Sequence, residues 1–197
     1  MKILIACEFS GTVRNAFIAN GHDAISCDLL PTSSPGPHYQ GDVMDLLVES
    51  WDLIIAHPPC TRLCNSGVRW LAERNLWDDM RKGAEFFKMF LKSGDRVCIE
   101  NPIMHKYAAE IIGVKHSQTI QPWEFGHSTS KRTCLWLHNL PLLKPTEIIP
   151  KEKRTQDIWL ASPGADRWKI RSKTFDGIAK AMADQWGPVI NEQKLSA

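Results

Sequence analysis

A chain of 197 residues with 43% hydrophobic content is long enough to bury a core, and we expect a single domain over residues 1–197. Its net charge of +2 excludes binding to nucleic acid through bulk charge alone, and no apolar run reaches the length of about 18 residues that a membrane span needs. The opening MKILIACEF is typical of a first strand rather than a secretory leader, so the six cysteines are expected as free thiols. We therefore expect a cytoplasmic protein without a membrane partner.

Short β-rich apolar runs alternate with helical patterns along most of the chain. Strands are predicted over residues 2–8, 23–28, 52–57 and 96–101. Helical spacing of apolar residues predicts helices over 13–20, 68–92, 104–112 and 174–187, with a short helix or turn at 42–47. A strand pair is predicted at 118–123 and 132–137, and loops are predicted at 30–41 and 138–172.

Strands that alternate with helices indicate an α/β fold with a mostly parallel sheet, in which ligands bind at the carboxyl ends of the strands. Chemically distinctive residues follow each predicted strand at that edge. They are Glu8-Phe9-Ser10-Gly11, Asp28, Gly41-Asp42-Val43, His57-Pro58-Pro59-Cys60 and Glu100-Asn101-Pro102. We expect them to meet in one site.

The EFSG segment and the acid that ends the second strand fit a nucleoside-containing cofactor. Gly11 at a strand-to-helix turn lets main-chain N–H groups approach a ligand closely. Asp28 stands where dinucleotide-binding folds place the acid that holds ribose hydroxyls. Because the full G-x-G-x-x-G pattern is absent, a tight turn followed by a strand-end acid remains an open alternative.

The HPPC segment predicts a rigidly held cysteine. Two prolines fix the backbone, and N–H groups of a following turn are expected to lower the pKa of the Cys60 thiol and make it a nucleophile. An inert buried thiol is the alternative. His57, Cys60 and Cys64 also have metal-ligand chemistry, but they are three residues where structural zinc takes four, so we expect no metal.

Glu100 ends an apolar strand and is expected to be partly desolvated, which raises a carboxyl pKa. A proton-sharing Glu100 beside Cys60 would form a pair of acid and nucleophile. The alternative is a cap or an ion-pair partner.

The order FSG, acid, GDV, PPC, ENP and a later basic strand resembles the cytosine-C5 DNA methyltransferase family. The stretches HPPCTRLCNSGVRWL, ENPIMHKYA, QPWEFGHSTSKRTCLWL and RSKTFDGIAKAMADQWG are similar to small phage and prophage members of it. The resemblance implies a Rossmann-like class I methyltransferase fold, with a mostly parallel sheet and an antiparallel hairpin near its C-terminal part. It also implies S-adenosylmethionine as cofactor, cytosine in DNA as substrate, and a bacterial or phage-infected cytoplasm.

The resemblance assigns roles to particular residues. It implies that Cys60 adds to C6 of cytosine and that Glu100 pairs with N3, so that C5 becomes nucleophilic and takes the methyl group. In duplex DNA the base must be flipped out for this attack. The residues implied to hold the cofactor are Phe9, Ser10, Gly11, Asp28, Asp42, Val43 and Pro58. Those implied to contact the substrate are His57, Asn101, Lys131 and Arg132, the last two also orienting the catalytic residues where the family has an arginine pair.

Four positions depart from the family pattern. His57 replaces a glycine or phenylalanine, Thr61 replaces a glutamine, Pro102 replaces a valine, and Lys131 replaces one arginine of the pair. His57 is open to three interpretations: a base for the C5 proton, a change in the cofactor pocket, or a structural hydrogen-bonding residue.

The region available for reading DNA is short. Residues 138–172 stand where the family inserts a long target-recognition domain, and they are modestly basic with Trp159 and Trp168 among the charges. A free nucleotide, single-stranded DNA or RNA is therefore an alternative substrate, and an oligomer or a partner protein could supply what is missing. A non-catalytic member of the fold that binds nucleic acid or protein is the third hypothesis.

Overall fold

The computed structural model describes residues 1–157, 164 and 167–195. Within these residues one sheet has seven strands in the order β3-β2-β1-β4-β5-β7-β6. Their bounds are β1 Lys2–Ala6, β2 Asp23–Asp28, β3 His38–Gln40, β4 Leu53–Ala56, β5 Val97–Asn101, β6 Gln118–Ile120 and β7 Thr133–His138. The first five strands pair in parallel, and β7 runs antiparallel to both β5 and β6. This confirms the predicted Rossmann-like α/β fold.

Helices connect the strands and cover both faces of the sheet. Their bounds are α1 Thr12–Ala19, α2 Met44–Leu47, α3 Arg69–Glu73, α4 Trp77–Phe90, α5 Lys106–Ile112, α6 Arg167–Ser172 and α7 Asp176–Leu195. The single helix predicted over 68–92 is wrong, because Asn75 adopts a positive φ of 50° and separates α3 from α4. The loop predicted at 30–41 is also wrong in part, since it contains β3.

The core lies on both faces of the sheet because strand residues alternate between them. Ile3 and Ile5 pack in the cluster that α1 and α7 cover, whereas Leu4 and Ala6 pack in the cluster that α4 and α5 cover. The apolar face predicted for the last helix is confirmed, with Trp186 fully buried. That helix runs on to Leu195, beyond the predicted end at residue 187.

The buried guanidinium of Arg14 in α1 holds the loop after β2 in place through hydrogen bonds. Arg14 is fully buried and donates to Ser26 Oγ at 2.8 Å and to the main-chain oxygens of Ser34 and Pro35 at 3.0 and 2.8 Å. Gly11 has φ +71°, and a Cβ there would lie 2.3 Å from Arg14 Nη2. The turn before α1 therefore needs glycine both for its backbone conformation and for this close approach.

Residues 138–172 are less loop-like than predicted where the structure describes them. Glu147 and Thr155 form isolated bridges to Phe125 and Thr129, a 3-10 turn spans Lys151–Lys153, and α6 follows. Residues 158–163, 165 and 166 lie outside the described residues, and with them Trp159. That this region stands in for a target-recognition domain stays a prediction.

No helix among the described residues is both long enough and apolar enough to cross a membrane.

Candidate active site

A cavity of about 680 Å³ opens at the carboxyl ends of the parallel strands. This is within the size range of small-molecule and cofactor sites. The residues predicted for the site that line it are Phe9, Ser10, Asp28, His57, Pro58, Cys60, Glu100, Asn101, Lys131 and Arg132. The chain segments that carry them lie far apart in the sequence and meet here because parallel strands end at one edge of the sheet.

Three residues predicted for the cofactor do not line this cavity. Val43 is buried in the core on the α4 side of the sheet. The Asp42 carboxylate is exposed and accepts a hydrogen bond from the Met44 N–H at 3.0 Å at the start of α2. Gly11 lies in the turn before α1, and a Cβ built there would point at Arg14.

Glu8 holds the EFSG turn in place, a role that was not predicted from the sequence. Its buried carboxylate accepts hydrogen bonds from the N–H groups of Val13 and Arg14, at 2.8 and 3.3 Å, and from Ser10 Oγ at 3.0 Å. An acid just before the first turn of a predicted helix is a recognisable signal for such a role, since it satisfies N–H groups that the helix leaves unpaired. Glu8 therefore fixes the main chain that borders the cavity.

The Cys60 segment is fixed at both ends. Asn101 Nδ2 at the end of β5 donates to the main-chain oxygen of Pro58 at 3.0 Å. The main-chain oxygen of Cys60 accepts hydrogen bonds from the N–H groups of Leu63 and Cys64 at 2.9 and 3.0 Å. These hydrogen bonds hold the half-buried Cys60 thiol at one place in the cavity wall.

The expectation that the turn lowers the pKa of Cys60 is wrong. A hydrogen bond with the Cys64 thiol, burial, and the negative charges of Cys64 and Glu100 all raise the Cys60 pKa, and the Lys131 ammonium offsets them only in part. Cys60 therefore holds its proton in the resting protein.

Cys64 is the acidic thiol of the pair. The hydrogen bond from Cys60 lowers its pKa to about 5, helped by the Ser66 hydroxyl and by the N–H groups of Ser66 and Gly67 and opposed by burial. The Ser66 Oγ lies 3.1 Å from Cys64 Sγ. The sequence pointed to Cys64 only as a candidate metal ligand, although its spacing of four residues from Cys60 across a turn was the available signal for thiol pairing.

Replacing Cys64 by alanine should make Cys60 more acidic, because it removes the largest influence that raises the Cys60 pKa. We expect alkylation of Cys60 by iodoacetamide near neutral pH to become at least about five-fold faster. Peptide mass spectrometry can follow Cys60 separately, because trypsin cleaves after Arg62 and so between the two thiols. The matched control is Cys98→Ala, which changes a fully buried thiol outside the cavity. An unaltered Cys60 rate in Cys64→Ala would contradict the pairing.

Glu100 is ionised, contrary to the prediction of a raised pKa. Burial by itself raises the pKa of the carboxyl, but the hydrogen bond with His57 and the positive charge of Lys131 outweigh it and hold the pKa below its usual value. His57 Nδ1 lies 3.2 Å from Glu100 Oε2, and both side chains are almost completely buried. The sequence placed both residues at the same edge of the sheet, but it does not contain the side-chain orientations on which this hydrogen bond depends.

Two buried polar atoms at the cavity have no hydrogen-bond partner among the described residues. They are His57 Nε2 and Asn101 Oδ1. Buried polar atoms in folded proteins are nearly always paired, so unpaired ones in a cavity wall are available for a ligand.

Lys131 and Arg132 approach from the connection between β6 and β7. The Lys131 main-chain N–H donates to Gln121 Oε1 at 3.1 Å, and its ammonium donates to the main-chain oxygen of Lys173 at 3.4 Å. This ammonium is close enough to favour the charged forms of both Glu100 and Cys60.

Helix α6 brings part of the 138–172 region to the cavity. The Trp168 ring lies 5.6 Å from the Phe9 ring, between centroids, and is half exposed. Arg171 and Lys173 line the same wall, so one side of the cavity offers aromatic surface and positive charge together.

Among the residues that the structure describes, no group of three or more His, Cys, Asp or Glu side chains is arranged to hold a metal ion.

No protein-family model and no curated protein matches the chain. Solved structures do match, among them the Entamoeba histolytica methyltransferase EhMeth, at 12% identity with a TM-score of 0.47, and a mutant of Spodoptera frugiperda DNMT2, at 16% identity with a TM-score of 0.40. Both matches cover 75% of this chain, which spans 57% and 54% of the two proteins, or somewhat more than half of their length.

Proposed function

We propose that the protein is an S-adenosylmethionine-dependent methyltransferase that modifies C5 of cytosine in DNA through a covalent bond between Cys60 and C6. The observation that carries the proposal is the single cavity that holds Cys60 and Glu100 beside Phe9 and Asp28. The order of these residues in the chain, which resembles that of the cytosine-C5 methyltransferase family, supports it.

The cavity residues fit the adenosine part of the cofactor. Asp28 Oδ1 accepts a hydrogen bond from the Leu30 N–H at 2.9 Å, which orients the carboxylate so that its other oxygen can accept a ribose hydroxyl. The Phe9 and Trp168 rings offer apolar surface for a flat base. S-adenosylmethionine, when bound, supplies a methyl group on a positively charged sulfur. Asp42 and Val43 lie outside the cavity, and we propose no contact for them.

Cys60 and Glu100 act on different atoms of the pyrimidine ring. The Cys60 thiol gives its proton to the Cys64 thiolate, to which it is hydrogen-bonded, and the Cys60 thiolate then adds to C6 and moves electron density to C5. N3 takes a proton from water, and the ionised Glu100 accepts a hydrogen bond from this proton, which favours the protonated ring and makes C6 more electrophilic. The proton returns to water when the ring is restored. The positive charges of Lys131 and Arg132 stabilise the negative charge of the Cys60 thiolate. Loss of the C5 proton and departure of Cys60 then restore the ring.

The short 138–172 region favours a second candidate substrate. Specific readers of duplex DNA bury about 600 Å² of protein surface or more, even as single modules, and the described residues of this region that line the cavity all lie in α6. A free nucleotide, single-stranded DNA or RNA would need neither base flipping from a duplex nor a large reading surface.

Transfer of labelled methyl from S-adenosylmethionine to duplex DNA, single-stranded DNA, tRNA and dCMP tests the proposal. We expect incorporation into cytosine-containing DNA and none into the same DNA carrying 5-methylcytosine at every cytosine, because that substrate has no open C5 position. Preferred methylation of tRNA or dCMP would support the proposed reaction at C5 but would replace DNA as the substrate. No incorporation into any substrate by folded protein would overturn the proposal and favour a binding role.

A further inference from the structure

His57 and Glu100 form a hydrogen-bonded pair in the cavity wall. Its Nδ1 lies 3.2 Å from Glu100 Oε2, and only 9% of its side chain is exposed. Because an ionised carboxylate can only accept, Nδ1 must carry the proton of this hydrogen bond. In a neutral imidazole the other nitrogen, Nε2, then has a lone pair and no proton.

That second nitrogen has nothing to bind within the described protein. His57 Nε2 is buried, lacks a hydrogen-bond partner among the described residues, and belongs to a side chain that lines the cavity. A histidine that served only to position Glu100 would need its Nδ1 and nothing else. The unpaired Nε2 at a site for a reacting ring points to contact with the substrate.

The other cavity groups are poorly suited to accept a proton at the same stage of the reaction. Cys60 is bound to C6, Glu100 is engaged with His57 and N3, and Cys64 carries the proton that it took from Cys60. Lys131 is already cationic. His57 is left with an unshared lone pair beside a carboxylate that can stabilise the charge it gains.

Resting on the proposed function, we propose that His57 Nε2 is the base that removes the proton from C5. The C5–H bond breaks after the methyl group has been added, and its proton moves to Nε2. The electron pair of that bond forms the C5–C6 double bond, the bond from C6 to Cys60 breaks, and the sulfur leaves as a thiolate. The imidazolium is stabilised by Glu100 until it gives its proton to water.

His57→Gln tests this step separately from the earlier ones, because glutamine keeps a polar group but cannot take the proton. Cys60 attack and methyl transfer precede loss of the C5 proton, so the variant should still form the adduct and release it slowly. We expect mass spectrometry of single turnovers to show protein bound to methylated substrate. The turnover number should fall by about 100-fold or more. Added imidazole should speed the release of the adduct in His57→Ala.

The matched control is His116→Gln, which changes a histidine outside the cavity that pairs with Thr119. It should turn over as the wild type does. A structural role for His57 would slow adduct formation and release together, without accumulation, and that result would overturn the inference, as would normal turnover. Failure of the proposed function is distinguishable, because the wild-type protein itself would then transfer no methyl group. Adduct formation needs a folded site, so accumulation cannot arise from misfolding.

Discussion

Replacing Cys60 by alanine should abolish methyl transfer, with a loss of about 1,000-fold or more. C5 of cytosine becomes nucleophilic only when a group adds to C6, and alanine has no atom that can add. DNA in which 5-fluorocytosine replaces cytosine gives a second measurement, because the C5 fluorine cannot leave as a proton does. The wild-type protein should remain covalently bound to this DNA under denaturing conditions, and Cys60→Ala should not.

Two further alanine variants identify the attacking thiol. Cys98→Ala removes a fully buried thiol outside the cavity and should leave both transfer and trapping intact. Cys64→Ala removes the more acidic thiol of the pair and should still be trapped through Cys60. If Cys60→Ala were trapped and Cys64→Ala were not, the nucleophile would be Cys64 and the assignment would be wrong.

The strands were predictable because their patterns are local. Continuous apolar runs such as LIIA in β4 indicate a strand buried on both faces, and such runs alternate with helical patterns through most of the chain. The strand β3 could not be found in this way. Its three residues, His38–Gln40, are not apolar, and they are extended because β2 offers a free edge to pair with. The break at Asn75 likewise depends on a single backbone conformation rather than on periodicity.

The sequence predicted which strand-end residues line one cavity, apart from Gly11, Asp42 and Val43, but it did not predict the electrostatics of that cavity. The roles of these residues stay predictions. Parallel strands end at one edge, so the order of the strands along the chain is enough to predict that Cys60 and Glu100 meet there. The directions of their pKa shifts depend on hydrogen bonds of a few ångströms to Cys64 and His57, and the sequence contains no distances. The burial of Val43 was not predicted for a related reason, since a residue beside an acid at a strand-end motif can turn into the core instead of the cavity.

Replacing Glu100 by glutamine should lower methyl transfer by about 100-fold or more while leaving the fold intact. The amide keeps the shape of the carboxylate, but it lacks the charge that favours a proton on N3 and that stabilises a protonated His57. The turnover number for the preferred substrate measures the effect. Glu85→Gln is the control, because Glu85 is an exposed carboxylate on α4 that pairs with Lys88. Equal activity of Glu100→Gln and Glu85→Gln would show that the Glu100 carboxylate takes no part in the reaction.

The same variant has a defined pH dependence of stability. The folded-state pKa of Glu100 is depressed, so its ionisation stabilises the fold at pH values above the unfolded-state pKa of about 4.3 and ceases to do so as the pH falls through the folded-state value. The difference in unfolding free energy between wild type and Glu100→Gln should therefore be constant near neutral pH and shift against the wild type below about pH 4. Denaturant unfolding at several pH values measures it. A difference that did not change with pH would mean that the pKa of Glu100 is the same in the folded and unfolded chain, and the contacts of its carboxylate with His57 and Lys131 would then have no net effect on its charge.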